Sequence, residues 1–173
     1  MEHLTRQHAP ALLAYEERNR AHLEPWEPAR TPDYYTLAYQ EAAMAKNAEE
    51  AERGLCARFV AFDESSPEIA ACINLWNIRR GVNQAAILGY SVDSSRLGRG
   101  YATEAARAVV RYAFDELRLH RLETSYHPEN AASGRVLRKL GFSVEGYARD
   151  YLRIAGEWRD AILVGLINGA WTE

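Results

Sequence analysis

The sequence predicts an α/β protein, a mixed sheet flanked by helices, and three observations lead there. A helix-rich opening segment gives way to three short stretches of strand composition separated by turns. A glycine loop then precedes apolar residues at Ala106, Val109, Val110, Ala113, Phe114 and Leu117, the i, i+3, i+4, i+7 spacing of an amphipathic helix. Strand, helix and two further strands follow, and a mixed sheet with helices on its faces satisfies that order.

Each element has its own signal. Between Ala9 and Leu23, Leu12, Leu13, Tyr15 and Leu23 alternate with charged residues, which reads as a first helix. Pro25-Trp26-Glu27-Pro28 ends it, since proline lacks the amide and restricts the residue before it. A second helix is expected over Pro32–Glu52, rich in Ala and Glu and stopping before Gly54. Ala57–Phe62, Ile69–Ile78 and Ala85–Val92 read as strands, with turns at Asp63–Pro67 and Gly81–Asn83, so an antiparallel meander is expected. Arg121–His127 is a strand, and Asn130–Leu140 a short helix that Gly141 terminates. Phe142–Ile154 and Trp158–Ile167 form the last two strands around Gly156.

Bulk properties narrow the function classes. At 173 residues the chain fits a single domain, 1–173. The net charge of −3 provides no global basic field, so neither nucleic acid nor an anionic membrane is expected as a direct partner. Cys56 and Cys72 show no CxxC or Cys/His ligand spacing, so no metal is expected. The start at Met1–His3 lacks the basic-then-apolar pattern of a signal peptide, and no apolar run approaches the ~20 residues of a membrane helix. A reduced cytoplasmic compartment is the expectation.

The first chemical signal is Gly98-Arg99-Gly100-Tyr101-Ala102-Thr103, a glycine loop between a strand and a helix. A helix start exposes unpaired amides and a positive dipole end, and glycine lets that backbone approach a phosphate. A plain capped turn would look the same. Gly98-x-Gly100-x-x-Thr103 also approaches the dinucleotide fingerprint, with Glu123 about 20 residues on, although a third glycine is missing and the preceding strands read as a meander.

The second signal is Pro128-Glu129-Asn130-Ala131-Ala132-Ser133, leading into a helix that ends Lys139-Leu140-Gly141-Phe142. This segment resembles the second acetyl-CoA motif of the GNAT superfamily, and Leu97-Gly98-Arg99-Gly100-Tyr101-Ala102 resembles the first. Within the superfamily, His120-Arg121-Leu122, Glu145–Leu152, Glu157-Trp158-Arg159-Asp160 and Asn19–Pro28 resemble the RimJ/RimL-type ribosomal-protein alanine N-acetyltransferases. The likeness runs from about Tyr15 to Trp171. Two positions depart from the pattern: only Met1–Thr5 can supply the usual first strand, and Leu97 stands where Gln or Arg usually opens the first motif.

The resemblance implies a GNAT acyl-CoA N-acyltransferase fold in which the strands Ile87–Val92 and Leu122–Tyr126 part to admit pantetheine. Tyr90, Ser91 and Val92 would offer backbone hydrogen bonds, and an amide near Val92 would polarise the thioester carbonyl. Leu97, Gly98, Arg99, Gly100, Tyr101, Ala102 and Thr103 would hold the pyrophosphate, Asn130 the pantetheine, and Arg138 and Lys139 the 3′-phosphate. The tyrosine acid of many members is replaced by Leu137, which leaves Ser133 as the acid by analogy with RimL-type enzymes. Either Glu27 or Asp150 would serve as base, with Trp26, Glu27, Tyr126, Tyr147 and Tyr151 around the acceptor. Each has an ordinary alternative: a capping hydroxyl or amide for Ser133 and Asn130, a solvated helix face for Arg138 and Lys139, sheet packing for the aromatics.

Direct attack by an amine needs no covalent acetyl-enzyme, so neither cysteine is required. Acetyl-CoA is the implied cosubstrate, and the implied acceptor is the N-terminal alanine of a ribosomal protein. A small-amine acetyltransferase and a non-catalytic acyl-CoA-binding module share the same two motifs. An oligomer is left open.

Overall fold

The computed structural model describes residues 1–63 and 66–172. Seven strands form one sheet in the order β1-β2-β3-β4-β5-β7-β6. They are β1 (Glu2–His3), β2 (Ala57–Asp63), β3 (Ser66–Arg79), β4 (Ala85–Val92), β5 (Arg121–Tyr126), β6 (Ser143–Ile154) and β7 (Glu157–Ile167). Among the described residues, four α-helices accompany them: α1 (Ala9–Leu23), α2 (Leu37–Glu52), α3 (Tyr101–Asp115) and α4 (Ala131–Leu140). β2, β3 and β4 form the expected antiparallel meander, and β4–β5 is the parallel pair in the order. That meander excludes the dinucleotide reading, whose loop needs a βαβ unit built on parallel strands.

The sheet buries both faces because its strands alternate. On one side Phe59, Ala71, Ile73 and Leu75 join Val109, Ala113 and Leu137 from α3 and α4. On the other, Val60, Ile69 and Cys72 meet Leu12, Tyr15 and Leu23 of α1 and Met44 of α2. The helix boundaries follow local chemistry. The Asn130 side chain accepts a hydrogen bond from the Ser133 amide and so caps α4. Gly141 ends α4 at φ 93°, with the Gly141 and Phe142 amides returning to the Arg138 and Leu137 carbonyls.

One expectation is corrected and another is met. The helix expected over Pro32–Glu52 is interrupted: Pro32–Tyr35 is a 3-10 turn, Thr36 is extended, and α2 starts at Leu37. The cause is Thr36, whose hydroxyl accepts from the Tyr39 amide at 3.3 Å and caps a new helix. The first strand comes from Met1–Thr5 as expected: Glu2–His3 pairs with Phe59 and Val60 of β2 and extends the sheet. The turn expected at Asp63–Pro67 centres on Glu64 and Ser65, outside the described residues.

Candidate active site

β4 and β5 pair only over Ala85–Ile87 with Arg121–Glu123. Beyond that point each strand keeps its outer neighbour, β4 pairing with β3 to Val92 and β5 with β7 to Tyr126, but the two do not pair with each other. The inner edges of Leu88–Val92 and Thr124–Tyr126 thus face a gap between strands. The start of α4 lies across it. The Tyr90 hydroxyl sits 2.9 Å from Ser133 Oγ and donates within reach of the Ser133 carbonyl at 3.2 Å. From the other side Tyr126 packs against Gly134, where a Cβ would lie 2.9 Å from the ring. Burial raises the Tyr90 phenol to about 12, and the Ser133 hydrogen bond opposes that shift only in part.

At the end of β4 the chain turns into the glycine loop. Gly98 and Gly100 have φ of 72° and 92°, a conformation that side chains rarely adopt, and a Cβ on either would meet nothing within 4 Å. Gly100 starts α3 without a side-chain cap, so the first amides of that helix face open space. A diphosphate fits this cradle by charge and by room. Leu97 and Arg99 are exposed beside it, while Tyr101 turns back and donates to Asp63 at 2.7 Å.

The loop is held from below by Arg18, Asn19 and Asp93, none of them expected as a site residue. Asp93 is fully buried and accepts from the Ser95 amide at 3.0 Å, Arg18 Nε at 2.7 Å and Asn19 Nδ2 at 3.1 Å. Asn19, also fully buried, accepts from the Ser94 amide at 2.8 Å. Burial alone would raise the Asp93 pKa; the bonds from Ser95, Asn19 and Arg18 outweigh it and keep the carboxyl well below the usual range. This network fastens the β4–α3 turn to α1. An Asn and an Asp separated by 74 positions carry no local pattern that would reveal it.

On the side of the sheet facing α1, an open cleft is lined by Glu27, Arg30, Asn74, Trp76, Tyr90 and Ser91, among others. Trp76 forms part of this lining because Gly89 has no side chain; a Cβ there would collide with the indole. The Pro25–Pro28 loop overhangs the cleft. The Ala155 amide, in the β6–β7 turn, donates to the Glu27 carbonyl at 2.9 Å, and Trp26 lies 6.2 Å from the His127 ring. Glu27 also accepts from Arg30 at 2.9 Å. Beneath this loop Glu16, unremarkable in the sequence, is raised to about 7 by burial first and by the neighbouring Glu27 charge second, against a Tyr34 hydrogen bond.

Other expected site residues lie elsewhere. Asp150 is exposed on a bulge of β6 at φ 47°, and its amide donates to Asp160 at 2.9 Å. Tyr147 and Tyr151 are exposed on the same edge strand, Tyr147 bonding to Asp160. None of the three lines the cleft. Arg138 and Lys139 are exposed on the last turn of α4. Among the described residues no cluster of His, Cys, Asp or Glu could hold a metal ion, and no helix is long and apolar enough to cross a membrane.

Parted strands beside a glycine-opened helix suit an acyl-CoA-dependent acyltransferase, and comparison with known proteins shows that class. Residues 1–143 match the acetyltransferase (GNAT) domain model. Over 161 residues the chain is 38% identical to the ribosomal protein uS5-alanine N-acetyltransferase of Escherichia coli K12, spanning 93% of this chain and 83% of that protein. Its structure is similar to the ribosomal-protein-S5-alanine acetyltransferase of Vibrio fischeri, at TM-score 0.96 and 34% identity over 99% of this chain and 94% of the other. It is also similar to Mycobacterium smegmatis RimJ in complex with CoA-disulfide, at TM-score 0.91 and 31% identity over 98% and 82% of the two chains. The chain belongs to the GNAT acetyltransferase family and is an acetyl-CoA-dependent N-acetyltransferase.

Proposed function

We propose that this chain acetylates the α-amine of a protein N-terminus, the alanine of a ribosomal protein being the expected acceptor, in the cytoplasm and as one domain over 1–173. The observation that carries this reading is the open cleft beneath the Glu27 loop, which meets β4 at Tyr90 and Ser91 and is pinned at its far side by Ala155. An open, polar-and-aromatic cleft admits the first residues of a polypeptide. The names of the relatives at 38% and 34% identity point to the same acceptor.

Acetyl-CoA supplies an activated acyl group on a thioester. In this reading the free inner edge of β4 at Tyr90–Val92 binds its pantetheine by strand addition, and the amides from Gly98 to Thr103 hold its diphosphate. Leu97 contributes backbone only. Asn130 is committed to capping α4, which sets Ser133 in place. Arg138 and Lys139 reach towards the 3′-phosphate.

An α-amine with a pKa near 8 is about one-tenth neutral at pH 7, so a weak base acting through water is enough. Glu27 takes that role in preference to Asp150, because Glu27 lines the cleft and Asp150 does not. Ser133 donates a hydrogen bond to the departing sulfur. Trp26, Trp76 and Tyr126 surround the acceptor, while Tyr147 and Tyr151 lie at its outer edge.

Release of free thiol from acetyl-CoA tests the reading across alanine-starting peptides, serine-starting peptides, spermidine and free amino acids. Turnover greatest with an alanine-starting peptide is expected. Turnover confined to small amines would remove the peptide acceptor, and none with any amine would leave only a CoA-binding module.

A further inference from the structure

The Ser133 hydroxyl has a side-chain neighbour on β4. Of the two hydroxyls that meet across the gap between β4 and α4, one belongs to a helix and the other to a strand: Ser133 Oγ and the Tyr90 phenol, 2.9 Å apart. The Tyr90 hydroxyl has a second acceptor, the Ser133 backbone carbonyl, at 3.2 Å. Leu137, one turn further along α4, is buried in the core and contributes no polar group.

A tyrosine hydroxyl carries one hydrogen and a serine hydroxyl carries one, so the contact has two arrangements. In one, the tyrosine hydrogen points to the Ser133 carbonyl and the serine hydrogen points to the phenol oxygen. In the other, the tyrosine hydrogen points to Ser133 Oγ and the serine hydrogen is free to turn to a third group. The first satisfies both hydroxyl hydrogens within the protein, the second leaves the serine hydrogen for a ligand, and only rotations about two C–O bonds separate them.

We infer that Tyr90 is the positioning residue for Ser133, a hydroxyl switch that releases the serine hydrogen towards the leaving sulfur as charge gathers there. The inference rests on the acetyl-transfer reading. No proton leaves Tyr90 in the step. Burial holds the phenol at about 12, far weaker as an acid than a thiol near 8.5, so proton transfer from Tyr90 to the sulfur would run uphill. Tyr90 therefore acts by turning its hydrogen onto Ser133 Oγ, which makes the serine a better donor through the cooperativity of linked hydrogen bonds. The amine's surplus proton, passed to water, balances the protonation of the thiolate by solvent.

The alternative for Tyr90 is a fastening of α4 to β4, and the two roles separate in the readouts. Tyr90→Phe removes one oxygen and keeps the ring. With an alanine-starting peptide that the unaltered chain turns over, we expect kcat to fall about tenfold, the scale of one lost hydrogen bond in the transition state. KM for the peptide, acetyl-CoA affinity by calorimetry and the melting temperature should stay close to the unaltered values. Ser133→Ala should lower kcat at least as much, and the double variant should be no slower than Ser133→Ala alone.

An unchanged kcat in Tyr90→Phe beside a slow Ser133→Ala overturns this inference and leaves the role of Ser133 standing. So do losses that multiply in the double variant, or a Tyr90→Phe defect confined to melting temperature and acetyl-CoA affinity. Full turnover in Ser133→Ala overturns the Ser133 role and the switch together.

Discussion

Glu16 and Gly89 illustrate how much a single position depends on what packs against it. Glu16 lies on α1 beneath the Pro25–Pro28 loop, and burial together with the Glu27 charge raises its pKa from 4.5 to about 7. A carboxyl whose folded-state pKa is raised favours the folded state while protonated. That advantage is complete below the unfolded value near 4.3 and is lost as pH rises through about 7. Glu16→Gln should therefore leave stability nearly unchanged at pH 4.5 and increase it by on the order of 2 kcal/mol at pH 8. Denaturant titration at the two pH values checks this; equal effects at both would show that Glu16 ionises normally. At Gly89 the missing side chain lets the Trp76 indole lie against β4. Gly89→Ala should displace that ring and raise the acceptor KM several-fold, with acetyl-CoA affinity within twofold. An unchanged acceptor KM would mean that the indole is not part of the acceptor surface.

At the scale of elements, α3 and the strands around it divide the labour. The proposed phosphate cradle is a helix start where two glycines take positive φ and leave room above their backbone. Gly100→Ala should cost about 1 kcal/mol of stability through backbone strain. The same change should weaken acetyl-CoA binding by more than tenfold, since the methyl would enter the space reserved for the diphosphate. Calorimetry and a melting curve separate the two effects, and unchanged affinity would place the diphosphate elsewhere. Buried Asp93 and Asn19, together with Arg18, give this loop a fixed base, tying it to a helix on the opposite face of the sheet. The β6–β7 hairpin has a comparable structural part at the other side of the cleft, where the Ala155 amide holds the Glu27 loop.

The whole molecule is a sheet with helices on both faces, and the gap where β4 and β5 part beyond Ile87 and Glu123 is the proposed place of the chemistry. A ligand bound in that gap, touching β4, α3 and α4 together, should stabilise the fold by mass action. At a hundred times Kd the gain is about 2.7 kcal/mol, which for a chain of this length is a rise of about 5–10 °C in melting temperature. Acetyl-CoA should produce that rise and CoA nearly as much, in a thermal scan; no rise with either would be incompatible with binding between the strands. The order of strands and helices was legible in the sequence because Ala57–Phe62, Ala85–Val92 and the α3 periodicity are local patterns. The open glycine turn before α3 was legible for the same reason, since Gly98 and Gly100 sit together in the chain.

The sequence by itself determined the fold class, the glycine loop and the second motif, because these depend on neighbours within a few residues. Only the tertiary structure decided which side chains converge. Tyr90 meets Ser133 across 43 positions and Asn19 meets Asp93 across 74, while Glu27 rather than Asp150 reaches the cleft. The physical reason is that a hydroxyl or a carboxylate acquires its role from partners delivered by other elements. Those partners are set by sheet register and packing, and no periodicity along the chain records them.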